Sequence, residues 1–208
     1  DPFHLNDVQP LKSSKGKKYV LLSLKGHSRL MLIRLEDLKV VWLIDRATLL
    51  QHDVDVIGFR EDFINISVFD NNTRTFDTGS NVLKNFDNRI VYFQNLPLET
   101  KTPYISISDG KSFEKHNLNY QEFNFLNPAL VPKTKTEGLS DHILENNSVM
   151  IEESNYGRLI EIDKIKKEIL WQYYNNEKNS QPYMMSWSRR LNKLPNRLNL
   201  STFQECKS

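Results

Sequence analysis

The chain has 208 residues, 38% of them hydrophobic and 26% charged, with 28 Lys and Arg against 26 Asp and Glu for a formal net charge of +2. These proportions, with a mean hydropathy of −0.56, lie on the polar side of globular and exclude disorder. A single domain of this length buries roughly 70% of its unfolded surface. The near balance of charge, with no basic run longer than Lys15-Gly16-Lys17-Lys18, gives no electrostatic basis for holding nucleic acid or an anionic membrane, and no stretch approaches the roughly 18 apolar residues of a membrane helix.

In chain order, residue 1 is Asp, with no initiating Met and no signal-like apolar region, and a mature or truncated product lacking an N-terminal part is expected. The single cysteine, Cys206, has no partner for an internal disulfide. His4 to Leu11 reads as a loop turning at Pro10, and Ser13-Ser14-Lys15-Gly16 as a second turn. The strands that follow, Tyr19 to Leu24 and Arg29 to Leu35, are aliphatic on both faces, as in sheets stacked face to face. Leu43 to Gln51 is expected to form a short helical turn capped by Asp45, leading into Gln51-His52-Asp53-Val54-Asp55. Phe63 to Phe69 alternates, with Ile64, Ile66 and Val68 on one face and Phe63, Asn65, Ser67 and Phe69 on the other. Asp70 to Ser80 is polar and long for a hairpin connection, where about two to five residues are usual, and surplus loop length is where function tends to sit. Between residues 97 and 136, Tyr104 to Ser108 and Phe123 to Val131 read as extended parts of an interrupted repeat. Helix is scarce; residues 1–190 read as the folded region and 191–208 as a tail.

Tyr19 to Trp42 (YVLLSLKGHSRLMLIRLEDLKVVW) overlays Ser148 to Trp171 (SVMIEESNYGRLIEIDKIKKEILW) without a gap, pairing Val20 with Val149, Arg29 with Arg158, Leu30 with Leu159, Ile33 with Ile162 and Trp42 with Trp171. A weaker copy lies between them: Ile64 to Asp70, a polar loop, Asn81 to Phe86, the turn Asp87-Asn88, and Arg89 to Gln94. Repetition of a meander marks an array in which no unit buries its hydrophobic face alone. The expected fold is all-β, a partial β-propeller of about three to four antiparallel blades, an open arc that the remainder of a propeller or a second copy would close. Trp42, Tyr92 and Trp171, at strand ends, are expected to pack between blades.

In a propeller the loops joining blades converge on one end of the channel. Three segments rich in unusual residues are therefore expected to meet: Phe3 to Leu11; Gln51 to Asp55 with Val68 to Arg74; and Thr136 to His142 with Ile151 to Leu159. Histidine exchanges a proton, or attacks as neutral imidazole, near neutral pH, and arginine offers a forked donor to sulfate or phosphate. His52 with Arg74 suits transfer of an anionic group. Taken singly each reads as an ordinary loop residue; joint placement carries the chemistry. No cofactor-specific cluster is present. His52, Asp53 and Asp55, or Asp70, Asn71 and Asn72, could offer ligands to a hard cation, but at no EF-hand spacing, and there is no zinc-type pair. Ser140, Asp141 and His142 are adjacent, so a strand would send neighbours to opposite faces, and no Gly-x-Ser-x-Gly occurs; a serine hydrolase is disfavoured. Glu152 and Glu153 diverge for the same reason. Tyr156-Gly157-Arg158 reads as a hairpin turn whose glycine accepts positive φ.

The ordered series His4-Leu5-Asn6-Asp7-Val8, a meander ending Val40-Val41-Trp42, Gln51-His52-Asp53-Val54-Asp55, Ser67 to Asn72, and Asn146 to Asp163 resembles the arylsulfotransferase family of bacterial β-propellers over roughly residues 3–189. The resemblance implies sulfuryl transfer from an aryl sulfate to a phenol, without an adenylylated donor or other cofactor, through a sulfohistidine intermediate, in a periplasmic or extracellular setting. It carries the family's motif histidines onto His4 and His52 and its sulfate-binding arginine onto Arg74, with Asn6 and Asn71 as substrate-binding neighbours. The family nucleophile is a further histidine downstream, for which His142 and His116 are the candidates. Two other readings stay open: a propeller serving as a non-catalytic scaffold for a glycan or peptide, and a quinoprotein-type propeller, suggested only by the Trp-terminated blades.

Overall fold

The computed structural model describes residues 4–77, 81–85, 87–100, 119–123, 134, 136–175, 184–186 and 188; the side chains of 74–77, 81–85, 119 and 120 lie outside that description. The strands run β1 (Leu5–Lys12), β2 (Lys18–Leu24), β3 (Arg29–Arg34), β4 (Lys39–Asp45), β5 (Val54–Arg60), β6 (Phe63–Asp70), β7 (Thr73–Asp77), β8 (Asn81–Asn85), β9 (Arg89–Pro97), β10 (Asn119–Glu122), β11 (Leu139–Ile143), β12 (Ser148–Glu153), β13 (Arg158–Asp163) and β14 (Ile169–Tyr174). They build three four-stranded antiparallel meanders, β1-β2-β3-β4, β5-β6-β9-β10 and β11-β12-β13-β14, with β7 and β8 forming a separate hairpin inserted in the second. The described chain is thus all-β, a partial propeller-like array of three blades. No helix among the described residues is long and apolar enough to cross a membrane.

The repeat in the sequence is a repeat in space down to its irregularities. Lys25–His27 and Ser154–Tyr156 are matching 3-10 turns, each closed by a left-handed residue, Ser28 at φ 53° and Gly157 at φ 60°. Glycine adopts that backbone freely; Ser28 is held there by bonds from Arg46 N–H to its carbonyl (2.9 Å) and from Leu50 N–H to its hydroxyl (3.0 Å). The β3–β4 ladder slips between Leu32 and Ile33, and the β13–β14 ladder between Glu161 and Ile162, so Val41 and Leu170 bulge at the same position.

Two apolar cores lie between the blades. Tyr19, Leu21, Leu30, Leu32, Trp42 and Ile44 of the first meet Val54, Ile64, Ile66, Val91, Phe93 and Leu96 of the second; Phe69, Ile90 and Phe123 of the second meet Val149, Ile151, Ile160 and Ile162 of the third. The alternation of β6 follows from this sandwiching, with Ile64, Ile66 and Val68 fully buried. Trp42 packs between blades and donates its indole N–H to the Pro97 carbonyl (2.9 Å). Tyr92 meets His142 of the third blade edge-on, with ring centroids 5.4 Å apart. Trp171, by contrast, is 42% exposed and donates its indole N–H to Glu161 of its own blade (2.6 Å).

Several expectations are corrected. Residues 4–11 are not a loop: Leu5–Lys12 is a strand, and Pro10 is tolerated because β1 is the edge of its sheet, where one side of the ladder is unpaired. The stretch 43–51 makes no helical turn. β4 continues to Asp45, whose carboxylate receives Arg29 Nε (2.8 Å) instead of capping, and Arg46 and Leu50 turn the chain at positive φ. The polar stretch after Asp70 contains β7, and Asn81–Asn85 pairs with it, leaving Arg89–Pro97 as the third strand of the middle blade and Asn119–Glu122 as its fourth. Tyr104 to Ser108, residues 124–131 and the tail from residue 191 lie outside the described residues.

Candidate functional site

The first strands of all three blades begin at one end of the stack, and their starting residues enclose a cavity of about 250 Å³. His4, Leu5 and Asn6 come from the first blade, His52 and Asp53 from the second, and Glu137, Gly138 and Leu139 from the third, with Glu152, Ser154 and Ser186 completing the wall. The expected convergence is present for His4, His52 and the Glu137–Leu139 part of the third segment, but not for His142. Gly138 is required there: a Cβ would fall 2.7 Å from Thr134 Cγ2 and 2.9 Å from Phe69 Cζ, closer than atoms pack.

Three consecutive residues, Gln51, His52 and Asp53, perform three tasks. Gln51, fully buried, anchors to the first blade: its Nε2 donates to the Arg29 carbonyl (3.0 Å) and the Ser23 hydroxyl (3.3 Å), its carbonyl accepts Asn6 Nδ2 (2.8 Å), and its Oε1 accepts the Thr48 hydroxyl (2.9 Å). Asp53 reaches the third blade, accepting Ser140 N–H at 2.9 Å. Between them His52 faces the cavity. Its backbone pairs with Phe69, which extends the β5–β6 ladder to the cavity edge.

Burial is the main cause that lowers the His52 pKa to about 4, reinforced by the nearby Lys25 and His4 and opposed by the hydrogen bond to Asn71. His52 is therefore a neutral imidazole at neutral pH. Its Nδ1 lies 2.9 Å from Asn71 Oδ1, leaving Nε2 as the nitrogen outside that contact. Asn71 is fully buried and does not line the cavity; it stands behind His52. Asn6 does line it, and the Asn6 Oδ1 is buried with no hydrogen-bond partner among the described residues.

His142 is placed elsewhere. It lies at a second, smaller cavity with Asp55, Val56, Ile57, Asp141 and Leu144, on the contact between second and third blades. Burial there, with Lys164 nearby, also lowers its pKa to about 4. Arg74 sits on β7, paired in register with Lys84, and its side chain is outside the described residues, as is His116. Among the described residues no three His, Cys, Asp or Glu side chains are grouped to hold a metal.

Sequence reasoning missed several contributors. Lys25, in the turn after β2, donates its backbone N–H to the His4 carbonyl and its ammonium to the Thr136 carbonyl (2.9 Å), bridging the first blade to the loop before the third beside His52. Burial lowers its pKa. Glu152, fully buried, accepts the Ser154 hydroxyl (2.5 Å) and Ser188 N–H (2.6 Å). The only sequence signal for Lys25 was its place opposite Ser154 in the repeat.

No curated protein matches the chain. A family model described as Arylsulfotransferase (ASST) matches residues 1–176. That span takes in all three blades and the two cavity histidines His4 and His52, and the chain belongs to the arylsulfotransferase (ASST) family.

Proposed function

We propose that the chain transfers a sulfuryl group from an aryl sulfate to a phenol at the His4–His52 cavity, through a sulfohistidine on His52 rather than on the downstream histidine that the family resemblance implies, since His142 lies at a different cavity. The observation that carries the reading is a neutral, half-buried imidazole, His52, lining one cavity together with a second imidazole, His4. A neutral imidazole is the nucleophilic form. Nε2 attacks the sulfur, the bond from sulfur to the aryl oxygen breaks, and the departing phenolate takes a proton from His4. In the second half the acceptor phenol returns a proton to His4 as its oxygen attacks sulfur and the N–S bond breaks. Asn6 Oδ1, an unmatched acceptor in the wall, suits the hydroxyl of the acceptor phenol. A cavity of about 250 Å³, small beside the roughly 300–1,000 Å³ of drug-sized sites, suits single-ring substrates. Arg74 is proposed as the sulfate partner by family motif alone, and a periplasmic or extracellular setting belongs to the same proposal.

A glycan- or peptide-binding scaffold is the second reading. It is favoured by the carboxylates of Asp53, Glu137 and Glu152 on the wall, which suit hydroxyl groups better than a sulfate ester. Intact mass after exposure to an aryl sulfate alone separates the two. Sulfuryl transfer gives a single added sulfuryl group that a phenol then discharges, and His52→Ala abolishes the adduct and lowers turnover on the order of 10³-fold. An unchanged mass with unchanged aryl sulfate sinks the transferase reading.

A further inference from the structure

We infer that Asn71 is a positioning residue that fixes which nitrogen of His52 reacts, and that it takes its own orientation from the loop entering the third blade. The catalytic consequence rests on the sulfuryl-transfer reading; the geometry does not. The Asn71 side chain stands between His52 and two backbone carbonyls, those of Thr134 and Glu137, each 3.5 Å from Nδ2. Carbonyls only accept, so the amide nitrogen faces them and Oδ1 faces His52 Nδ1 at 2.9 Å. Turning the amide over would set its oxygen against two carbonyl oxygens in a fully buried place, with no solvent to screen the repulsion. An amide oxygen also only accepts. His52 must then carry its proton on Nδ1 and keep a lone pair on Nε2.

The carbonyls that orient Asn71 are themselves fixed. Asn88 Nδ2 bridges the Asn71 carbonyl (2.8 Å) and the Thr134 carbonyl (2.9 Å), and the Thr73 hydroxyl donates to the Asn71 carbonyl (3.1 Å). The Thr134 side chain meets Asn155 Oδ1 at 2.7 Å and the Glu137 carbonyl, while Asn155 Oδ1 also accepts Thr136 N–H (2.9 Å). Asn88 and Thr134 are, like Asn71, almost wholly buried. The tautomer of a histidine in the second blade is thus set by a polar network ending in the 3-10 turn of the third.

The consequence is directional. When Nε2 bonds to sulfur and the aryl oxygen leaves, the ring becomes an imidazolium, and its Nδ1–H becomes a stronger donor to Asn71 Oδ1. An interaction that strengthens as charge develops lowers the barrier more than it aids binding.

The test uses ¹⁵N NMR of the His52 ring in the full chain without substrate, followed by turnover with an aryl sulfate and a phenol. Expected are a protonated Nδ1 and a lone-pair Nε2 in the parent chain and mixed tautomers in Asn71→Ala. In turnover, Asn71→Ala is expected to lower kcat roughly 10–100-fold with a smaller change in KM. An Nε2–H tautomer in the parent chain overturns the inference without recourse to any variant, as does an Asn71→Ala tautomer equal to the parent's. A parent chain with the Nδ1–H tautomer, lost in Asn71→Ala, that transfers no sulfuryl group supports the positioning role and removes the transferase reading alone.

Discussion

His142 and His52 are both held near pKa 4 by burial, yet their surroundings differ. His52 has Asn71 on Nδ1, while His142 Nε2 is buried with no hydrogen-bond partner among the described residues and packs on the Tyr92 ring. An imidazole buried neutral makes stability depend on pH in one direction. As pH falls below the ordinary value of 6.5 the unfolded chain takes up a proton that the native chain refuses until about 4, so stability present in full above 6.5 is lost across that window. Replacing His142 by Phe removes this uptake and keeps an aromatic ring against Tyr92. Urea midpoints measured at pH 7 and pH 5 should therefore lie closer together in His142→Phe than in the parent chain; an unchanged gap would mean that His142 titrates normally. The same sign applies to His52, whose free base persists well below pH 6.5 and should keep the acid limb of any transfer activity near pH 4.

At the scale of elements, Trp42 and Trp171 occupy one repeat position in opposite circumstances. Val41, Trp42 and Ile44 are buried beneath the second blade, whereas their counterparts Leu170, Trp171 and Tyr173 are each 42–50% exposed. Truncating a buried indole and stranding the Pro97 carbonyl should cost roughly 3–5 kcal/mol in Trp42→Ala, while Trp171→Ala should cost about 1 kcal/mol, since little packing is lost. Chemical denaturation of the two variants compares them directly, and equal losses would contradict the placement of the first core. The two outer copies were legible in the sequence because their apolar pattern coincides at turn, strand and bulge alike. The middle copy was legible only in part: Ile64 to Asp70 and Arg89 to Gln94 fall on β6 and β9, but the inserted hairpin is rich in Asn and Thr, and its second strand, Asn81–Asn85, imitates a blade strand. In sequence β1 resembles a loop, because Pro10 signals a break everywhere except on an edge strand. The meeting of His4 and His52 followed from propeller geometry. Gln51 and Asp53 were singled out within the motif around His52, but their clasping roles, like those of Asn88 and Lys25, were not legible, since these depend on partners from other blades.

Across the described blades, a carboxylate at the start of a blade's first strand links it to the next blade at both junctions. Asp7 Oδ2 accepts Val54 N–H at 2.9 Å and Asp53 Oδ2 accepts Ser140 N–H at 2.9 Å, joining first blade to second and second to third by the same device. Val54 directly follows Asp53, so a strand that receives one clasp also extends the other. Position for position the third blade has Leu139 where this aspartate would stand, and its link to the segment at Ser188 comes from Glu152 instead. Both aspartates are more than nine-tenths buried, so each bond is a charge-assisted one shielded from water. Removing the acceptor leaves a buried N–H unmatched, a loss of roughly 1–3 kcal/mol. Asp53→Ala should lower stability by that amount and speed hydrogen exchange at the Ser140 amide far more than at Val54, whose acceptor, Asp7, is untouched. Because Gly138 and Leu139 at the start of the same strand line the cavity with His52, the loosening should also weaken retention of any ligand there. Exchange at Ser140 as slow as in the parent chain would show that the ladder to Ile151 and Glu152, rather than the clasp, holds the third blade in register against the second.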